Sequence, residues 1–134
     1  MSGGNPGDAA RASRTIEIVA TDNAFSLKSL QVKDGETVRF VIRNDGFEPH
    51  EFLIGTAAEH AEHLAMMRAM IEQQKKTGRP APTMRHDGGV MVPPGETATF
   101  VWTFARTAGL QFACDIPGHY EDGMHGAVSF GGAR

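Results

Sequence analysis

A cysteine, a histidine and a methionine follow one another at equal intervals near the C-terminal end of the chain. They are Cys114, His119 and Met124, each separated from the next by four residues. Thiolate, imidazole and thioether are soft or borderline metal ligands, and a trigonal set of two histidines and one cysteine with a weak axial methionine favours copper that carries electrons. The spacing therefore predicts a copper site in this segment, provided that a second histidine reaches it from elsewhere in the chain.

His50 is the candidate for that second histidine. A β-strand that starts at His50 would place it on the same face as Phe52 and Ile54, because side chains alternate between the two faces of a strand. Cys114 shares its parity with Phe112 in the same way. Both side chains are thus expected to point inward from the ends of neighbouring strands.

Most of the chain consists of short segments in which apolar and polar residues alternate, as is typical of β-strands. The most regular of them places Phe100, Trp102 and Phe104 on one face. Asp-Gly and Pro-Pro-Gly sequences between the segments indicate turns. Six to eight strands of this kind predict an all-β sandwich or barrel. The segments predicted as strands include residues 15–20, 36–43, 50–54, 97–104, 110–114 and 127–130.

One segment, residues 56–76, breaks the strand pattern. It contains no glycine or proline, is rich in good helix formers and begins with the T-x-x-E sequence of a capping box. Leu64, Met67 and Ile71 share one face of the helix that this predicts. We therefore expect a helix inserted between two strands and packed on the sandwich, within an insertion that spans residues 56–87.

Composition and charge exclude several function classes. A chain of 134 residues suits one domain, which we place at residues 15–134 after a flexible N-terminus at residues 1–14. The net charge of -3 and the absence of a basic run predict no nucleic-acid partner. Cys114 is the only cysteine, so no disulfide or Cys-x-x-Cys motif can form within the chain. No segment approaches the roughly 18 apolar residues of a membrane span, and residues 1–12 lack the apolar core of a signal peptide.

At these residues the sequence resembles the cupredoxins, the family of plastocyanin, azurin, pseudoazurin and rusticyanin. The resemblance covers most of residues 15–130 and rests on His50, Cys114, His119 and Met124 before a closing strand. It implies a Greek-key β-sandwich or barrel in which the two histidines and the cysteine are equatorial ligands, and the methionine the axial ligand, of one type 1 copper ion per chain. It further implies a monomer without enzymatic activity that exchanges electrons through the edge of His119 with a transiently docked redox protein.

A finer resemblance is to the small periplasmic cupredoxins that are linked to bacterial copper tolerance. It rests on His50-Glu51-Phe52, on the long insertion that bears histidine and methionine, and on the motif at residues 117–124. This resemblance implies a periplasmic location and a role in copper tolerance. The alternative is a copper-sequestering protein with a second site rich in histidine and methionine and no dedicated role in electron transfer.

Two departures from plastocyanin and azurin leave questions open. Those proteins usually have Asn after the first histidine, where it ties the two ligand loops together, and this chain has Glu51. The inserted helix is the other departure, and one of its faces carries a stripe of four residues: His60, His63, Met67 and Met70. These residues either bind a second copper ion or belong to an amphipathic helix with methionine packed below and histidine at its edge. His86 and His125 are expected at the surface rather than among the primary ligands.

Overall fold

Nine β-strands and one α-helix occur in the computed structural model, which describes residues 3–22, 24–78, 88–116, 118–120 and 122–131. A short 3-10 helix, Ala9–Arg11, is also present. In chain order the elements are β1 (Gly4–Pro6), β2 (Arg14–Ala20), β3 (Ser29–Val32), β4 (Thr37–Asn44), β5 (His50–Thr56), α1 (Ala57–Thr77), β6 (Gly89–Val92), β7 (Thr97–Phe104), β8 (Leu110–Ala113) and β9 (His125–Phe130).

The strands form two sheets, one with the order β1-β7-β4-β2 and the other with the order β3-β9-β8-β5-β6. β2 is parallel to β4 and β3 is parallel to β9, whereas the other neighbours are antiparallel. The all-β sandwich predicted from the sequence is confirmed, and the sheets do not close into a barrel. The strand count exceeds six to eight because β1, β3 and β6 have only three or four residues, too few to show alternation.

The core lies between the two sheets and is largely aromatic. Val38, Phe40 and Ile42, which alternate along β4, are at most 1% exposed. From the opposite sheet, the ring of Phe52 stacks on that of Phe112 with centroids 5.7 Å apart and lies 5.1 Å from that of Phe40. The inner positions predicted for Phe52 and Phe112 are therefore the observed ones, and packed aromatic rings support the strands β5 and β8, which lead to His50 and Cys114.

Residues 1–14, predicted as a flexible N-terminus, include β1 and the 3-10 helix. The indole Nε1–H of Trp102 donates a hydrogen bond of 3.1 Å to the carbonyl oxygen of Gly3. At Gly4, which has a φ of 141°, a Cβ atom would lie 1.9 Å from the carbonyl oxygen of Thr103. The close approach of β1 to β7 therefore requires glycine at this position.

The helix begins and ends where its local sequence dictates. The Thr56 hydroxyl accepts a hydrogen bond from the Glu59 amide (3.2 Å), and the Glu59 carboxylate accepts one from the Thr56 amide (2.8 Å), as in a capping box. Gly78 ends the helix with a left-handed φ of 70°. α1 packs against β5 and β8, so it covers the outer face of the sheet that bears His50 and Cys114.

The face that α1 buries differs from the predicted one. Leu64 is buried, as expected, but Met67 and Ile71 are only half-buried. His60 and His63 are buried instead, at 0% and 4% exposure. The expectation that the methionines pack below and the histidines lie at the edge of the helix is wrong, because a buried carboxylate under the helix accepts hydrogen bonds from both imidazoles.

Candidate metal centre

Three strand ends and one loop bring the predicted ligands to the same end of the sandwich. His50 is the first residue of β5, Cys114 directly follows β8, and His119 lies in the loop between β8 and β9. Met124 closes this loop, since its amide donates to the His119 carbonyl oxygen (3.1 Å) and its own carbonyl oxygen accepts from the Cys114 amide (2.9 Å). Gly118 and Gly123, with φ values of 94° and 105°, provide the left-handed conformations that this tight loop contains.

The thiol sulfur faces one nitrogen of each imidazole. Sγ of Cys114 lies 3.5 Å from Nδ1 of His119 and 3.9 Å from Nδ1 of His50. The imidazole rings are 4.7 Å apart and tilted by 42°. Among the described residues, this is the one group of three or more His, Cys, Asp or Glu side chains that offers ligand atoms all within 4.8 Å of one another.

The cluster is closed to solvent except at one residue. Cys114 and Met124 are 0% exposed and His50 is 1% exposed, whereas His119 reaches 8%. The imidazole of His119 is therefore the part of the cluster that lies nearest the surface.

A carboxylate contacts the outer nitrogen of each of these imidazoles. Nε2 of His50 lies 3.3 Å from Oδ1 of Asp22, and Nε2 of His119 lies 2.6 Å from Oε1 of Glu48. A carboxylate can only accept while it is ionised, so these contacts place the imidazole proton on Nε2 and leave the Nδ1 lone pair directed at the sulfur. Carboxylate–histidine pairs of this kind orient the ligands in many metal sites. Neither Asp22 nor Glu48 was predicted from the sequence.

Burial favours the neutral forms of the Cys114 thiol and the His50 imidazole in the absence of a metal ion. Burial raises the pKa of the Cys114 thiol to about 12, although backbone N–H groups of Glu51 and Ile116 work in the other direction. Desolvation lowers the pKa of His50, which keeps its imidazole in the neutral form that binds metals. A cation bound between these groups would replace the thiol proton and stabilise the thiolate.

The donor set fits copper better than other common metals. Two neutral imidazoles and one thiolate, with a buried thioether in the adjoining loop, are the donors of an electron-transfer copper site. Structural zinc sites use cysteine, histidine or carboxylate, and a thioether is not among their usual ligands. The arrangement can therefore hold one copper ion and cycle it between two oxidation states.

Glu51, which stands where plastocyanin and azurin usually have Asn, provides a hydrogen bond to the Cys114 sulfur. The backbone N–H of Glu51 donates to Sγ of Cys114 at 3.4 Å. The Glu51 side chain is 4% exposed, and its carboxylate accepts a hydrogen bond from the backbone N–H of Asp115. Glu51 thus joins the two ligand-bearing strands through both its backbone and its side chain.

The remaining histidines have different environments. His60 and His63 lie beneath α1 against Asp115, with nitrogen–oxygen distances of 2.7 and 3.2 Å. His125 is exposed, as predicted, and its ring stacks on Tyr120 with centroids 4.3 Å apart. His86 lies outside the described residues. Across the described ranges, no helix is both long enough and apolar enough to span a bilayer.

Comparison with known proteins gives sequence relatives along nearly the whole chain. The cupredoxin-like domain family matches residues 4–79. The copper-resistant cuproprotein CopI of Pseudomonas aeruginosa is 41% identical over 150 residues, which cover 94% of this chain and 81% of that protein. CopI of Rubrivivax gelatinosus is 43% identical over 128 residues, covering 93% of this chain and 71% of that protein.

A solved structure shows the same fold. Auracyanin B superposes with a TM-score of 0.70 at 22% identity, over 98% of this chain and 97% of that one. The two-sheet topology and the sequence relatives point to the same family. The chain therefore belongs to the cupredoxin family and, within it, to the group of the CopI cuproproteins.

Proposed function

We propose that this protein binds one copper ion through His50, Cys114, His119 and Met124 and transfers electrons by cycling it between Cu(I) and Cu(II). The observation that carries the proposal is the position of the Cys114 sulfur, which faces Nδ1 of both imidazoles at 3.5 and 3.9 Å. Three equatorial donors and a weak axial thioether suit both oxidation states of copper, so little has to move when an electron is exchanged.

The burial of the cluster favours electron exchange over catalysis. The four residues are at most 8% exposed, so no substrate can reach a metal ion held between them without displacing a ligand. An electron needs no such access, and the imidazole of His119 offers the shortest route to the surface. A redox partner would dock briefly over this edge, as small transient interfaces permit.

The names of the relatives support a role in copper tolerance, and the resemblance to periplasmic cupredoxins implies a periplasmic location. Two of them are named copper-resistant cuproproteins and cover more than nine-tenths of this chain. We therefore propose that this protein also acts in copper tolerance, where it keeps copper bound and controls its oxidation state.

A copper titration followed by visible spectroscopy tests the proposal. Purified protein should bind one Cu(II) per chain with intense visible absorption from thiolate-to-copper charge transfer. The absorption should disappear on reduction with ascorbate and return on reoxidation with ferricyanide. Cys114→Ser should abolish it, because a hydroxyl does not replace the thiolate donor.

His119→Asn and His125→Asn form a matched pair, since each removes one imidazole near the same end of the protein. His119→Asn should lose the strong absorption, whereas His125→Asn should retain it because His125 is exposed outside the cluster. Absence of visible absorption in the wild-type protein, or its survival in Cys114→Ser, would contradict a thiolate–copper site.

The alternative, copper sequestration with a second site on the helix, predicts a different stoichiometry. Such a site would need His60 and His63, which the structure engages with Asp115 beneath the helix. Binding beyond one copper per chain that is lost in the double variant His60→Ala/His63→Ala would favour sequestration over electron transfer.

A further inference from the structure

The residues that directly follow two of the proposed ligands point to the other side of the sheet. Glu51 follows His50 and Asp115 follows Cys114, and alternation along the chain directs their side chains away from the core and towards α1. Both are charged residue types, yet they are 4% and 0% exposed. Charged side chains are rarely buried this completely unless they have partners.

The inserted helix supplies the partners of Asp115. His60 and His63 lie one turn apart on α1, and Nδ1 of each faces Oδ2 of Asp115, at 2.7 and 3.2 Å. Nε2 of His60 lies 3.2 Å from the carbonyl oxygen of Gln111 on β8, which can only accept a hydrogen bond. His60 therefore contacts the ligand-bearing strand and the residue after Cys114 at the same time.

Asp115 in turn is connected to the environment of the sulfur. Its backbone N–H donates to the Glu51 carboxylate, and the backbone N–H of Glu51 donates to Sγ of Cys114 at 3.4 Å. A continuous set of hydrogen bonds thus runs from the helix through Asp115 and Glu51 to the thiol.

We propose that His60 and Asp115 are positioning residues, through which the inserted helix fixes the direction of the Cys114 sulfur and the N–H···S hydrogen bond that it accepts from Glu51. Such a hydrogen bond draws electron density from a thiolate and so affects how strongly it donates to copper. The helix acts as an outer layer of the metal centre that sets its electronic properties. This inference rests on the proposed function for its spectroscopic consequences, but the positioning itself belongs to the protein without metal.

The first experiment therefore uses metal-free protein and measures the reactivity of the Cys114 thiol towards a disulfide reagent. His60→Leu removes the hydrogen bond to Asp115 and should speed the reaction by about 5- to 30-fold, the factor expected when one or two hydrogen bonds that hold a buried group are lost. Asp115→Asn keeps the shape of the side chain and should give an increase of the same kind.

Leu64→Ala is the matched control, because Leu64 is buried on the same helix and is apolar. It should lower the urea concentration at the unfolding midpoint at least as much as His60→Leu, while it leaves the thiol reaction within about twofold of the wild-type rate once the change in global stability is taken into account. His60→Asn, whose amide can still donate to Asp115, should restore much of the wild-type behaviour.

The second experiment uses the copper-loaded protein. His60→Leu and Asp115→Asn should change the relative intensities of the visible bands and lower the reduction potential, because weaker N–H···S bonds leave a more strongly donating thiolate that favours Cu(II). Leu64→Ala should leave both unchanged, and His60→Asn should lie near the wild type.

The outcomes separate this inference from the proposed function. If wild-type protein shows no thiolate–copper absorption but His60→Leu still exposes the thiol selectively, the function is wrong and the positioning is right. If His60→Leu, Asp115→Asn and Leu64→Ala all alter thiol reactivity and spectra in proportion to their loss of stability, the helix supports the fold only and the inference is overturned.

Discussion

The carboxylate of Glu48 lies 2.6 Å from Nε2 of His119, on the side of the imidazole that faces away from the Cys114 sulfur. The Glu48 side chain is 60% exposed, whereas that of His119 is 10% exposed. The route by which we expect electrons to leave therefore ends at a negatively charged group rather than at a bare imidazole edge. This favours a redox partner whose docking surface is positively charged at the point of contact.

Glu48→Gln should raise the reduction potential by about 10–40 mV. A negative charge beside His119 stabilises Cu(II) more than Cu(I), and an exposed charge–imidazole pair contributes about 0.2–1 kcal/mol after screening by solvent, which converts to this range for one electron. The measurement is protein-film voltammetry at low and high salt, since screening should shrink the shift at high salt. Glu17→Gln, an exposed substitution on β2, serves as the control, and an equal shift there would show that contact with His119 is not required.

Met124→Gln should lower the reduction potential, and Met124→Leu should raise it. An amide oxygen is a harder donor than a thioether and favours Cu(II), whereas leucine removes the axial donor altogether. Met124 is 0% exposed, so both variants also need a thermal unfolding measurement in the metal-free state. A potential that is the same in the two variants would argue against an axial role for Met124.

Glu36→Gln should reduce the free energy of unfolding at pH 7 by about 1 kcal/mol. Desolvation opposes ionisation of Glu36, but hydrogen bonds from Arg14 (2.8 Å), the Lys33 amide (3.0 Å) and Ser13 (3.1 Å) outweigh it and lower the pKa of the carboxyl. A lowered pKa in the folded state means that this stabilisation is complete above the ordinary glutamate value of 4.5 and is lost as the pH falls through the lower folded-state value.

Urea denaturation at several pH values checks this expectation. The difference between wild type and Glu36→Gln should be largest near neutral pH and should shrink towards zero in strong acid. A difference that stays constant from pH 7 down to pH values well below 4.5 would mean that the charge of Glu36 is not the cause.

Trp102→Phe should loosen β1 selectively. The indole N–H that donates to the Gly3 carbonyl oxygen is lost, at a cost of about 0.5–1.5 kcal/mol, and the Ala105 amide, which donates to the same oxygen at 2.8 Å, should exchange its hydrogen faster. Phe100→Leu changes a neighbouring core ring that makes no such bond and is the control. Equal acceleration of Ala105 exchange in both variants would indicate a general loss of core packing.

The sequence predicted the inner part of the site because its signals are local. Cys114, His119 and Met124 lie in one loop at fixed spacing, and strand parity was enough to turn His50 and Cys114 inward. The helix could be predicted for the same reason, since the residues of its capping box lie close to one another in the sequence.

The surroundings of the site could not be predicted because they depend on contacts between distant segments. Asp22 reaches His50 from 28 residues away, and Glu48 reaches His119 from 71 residues away. The burial of His60 was misjudged for a related reason. Helical periodicity identifies a face by its apolar residues, and here the side of the helix that meets the sheet is partly polar because Asp115 lies beneath it.

The insertion leaves the sheet from β5 and returns to β6, and these two strands are direct antiparallel neighbours, with His50 opposite Val92 and Leu53 opposite Gly89. It is therefore a very long hairpin connection, and nothing in the order of the strands depends on its length. Such a connection can be lengthened, shortened or exchanged without rethreading either sheet. If the helix tunes the metal centre as proposed, substitutions on this replaceable segment can alter the surroundings of the metal during evolution, while the four proposed ligands stay the same.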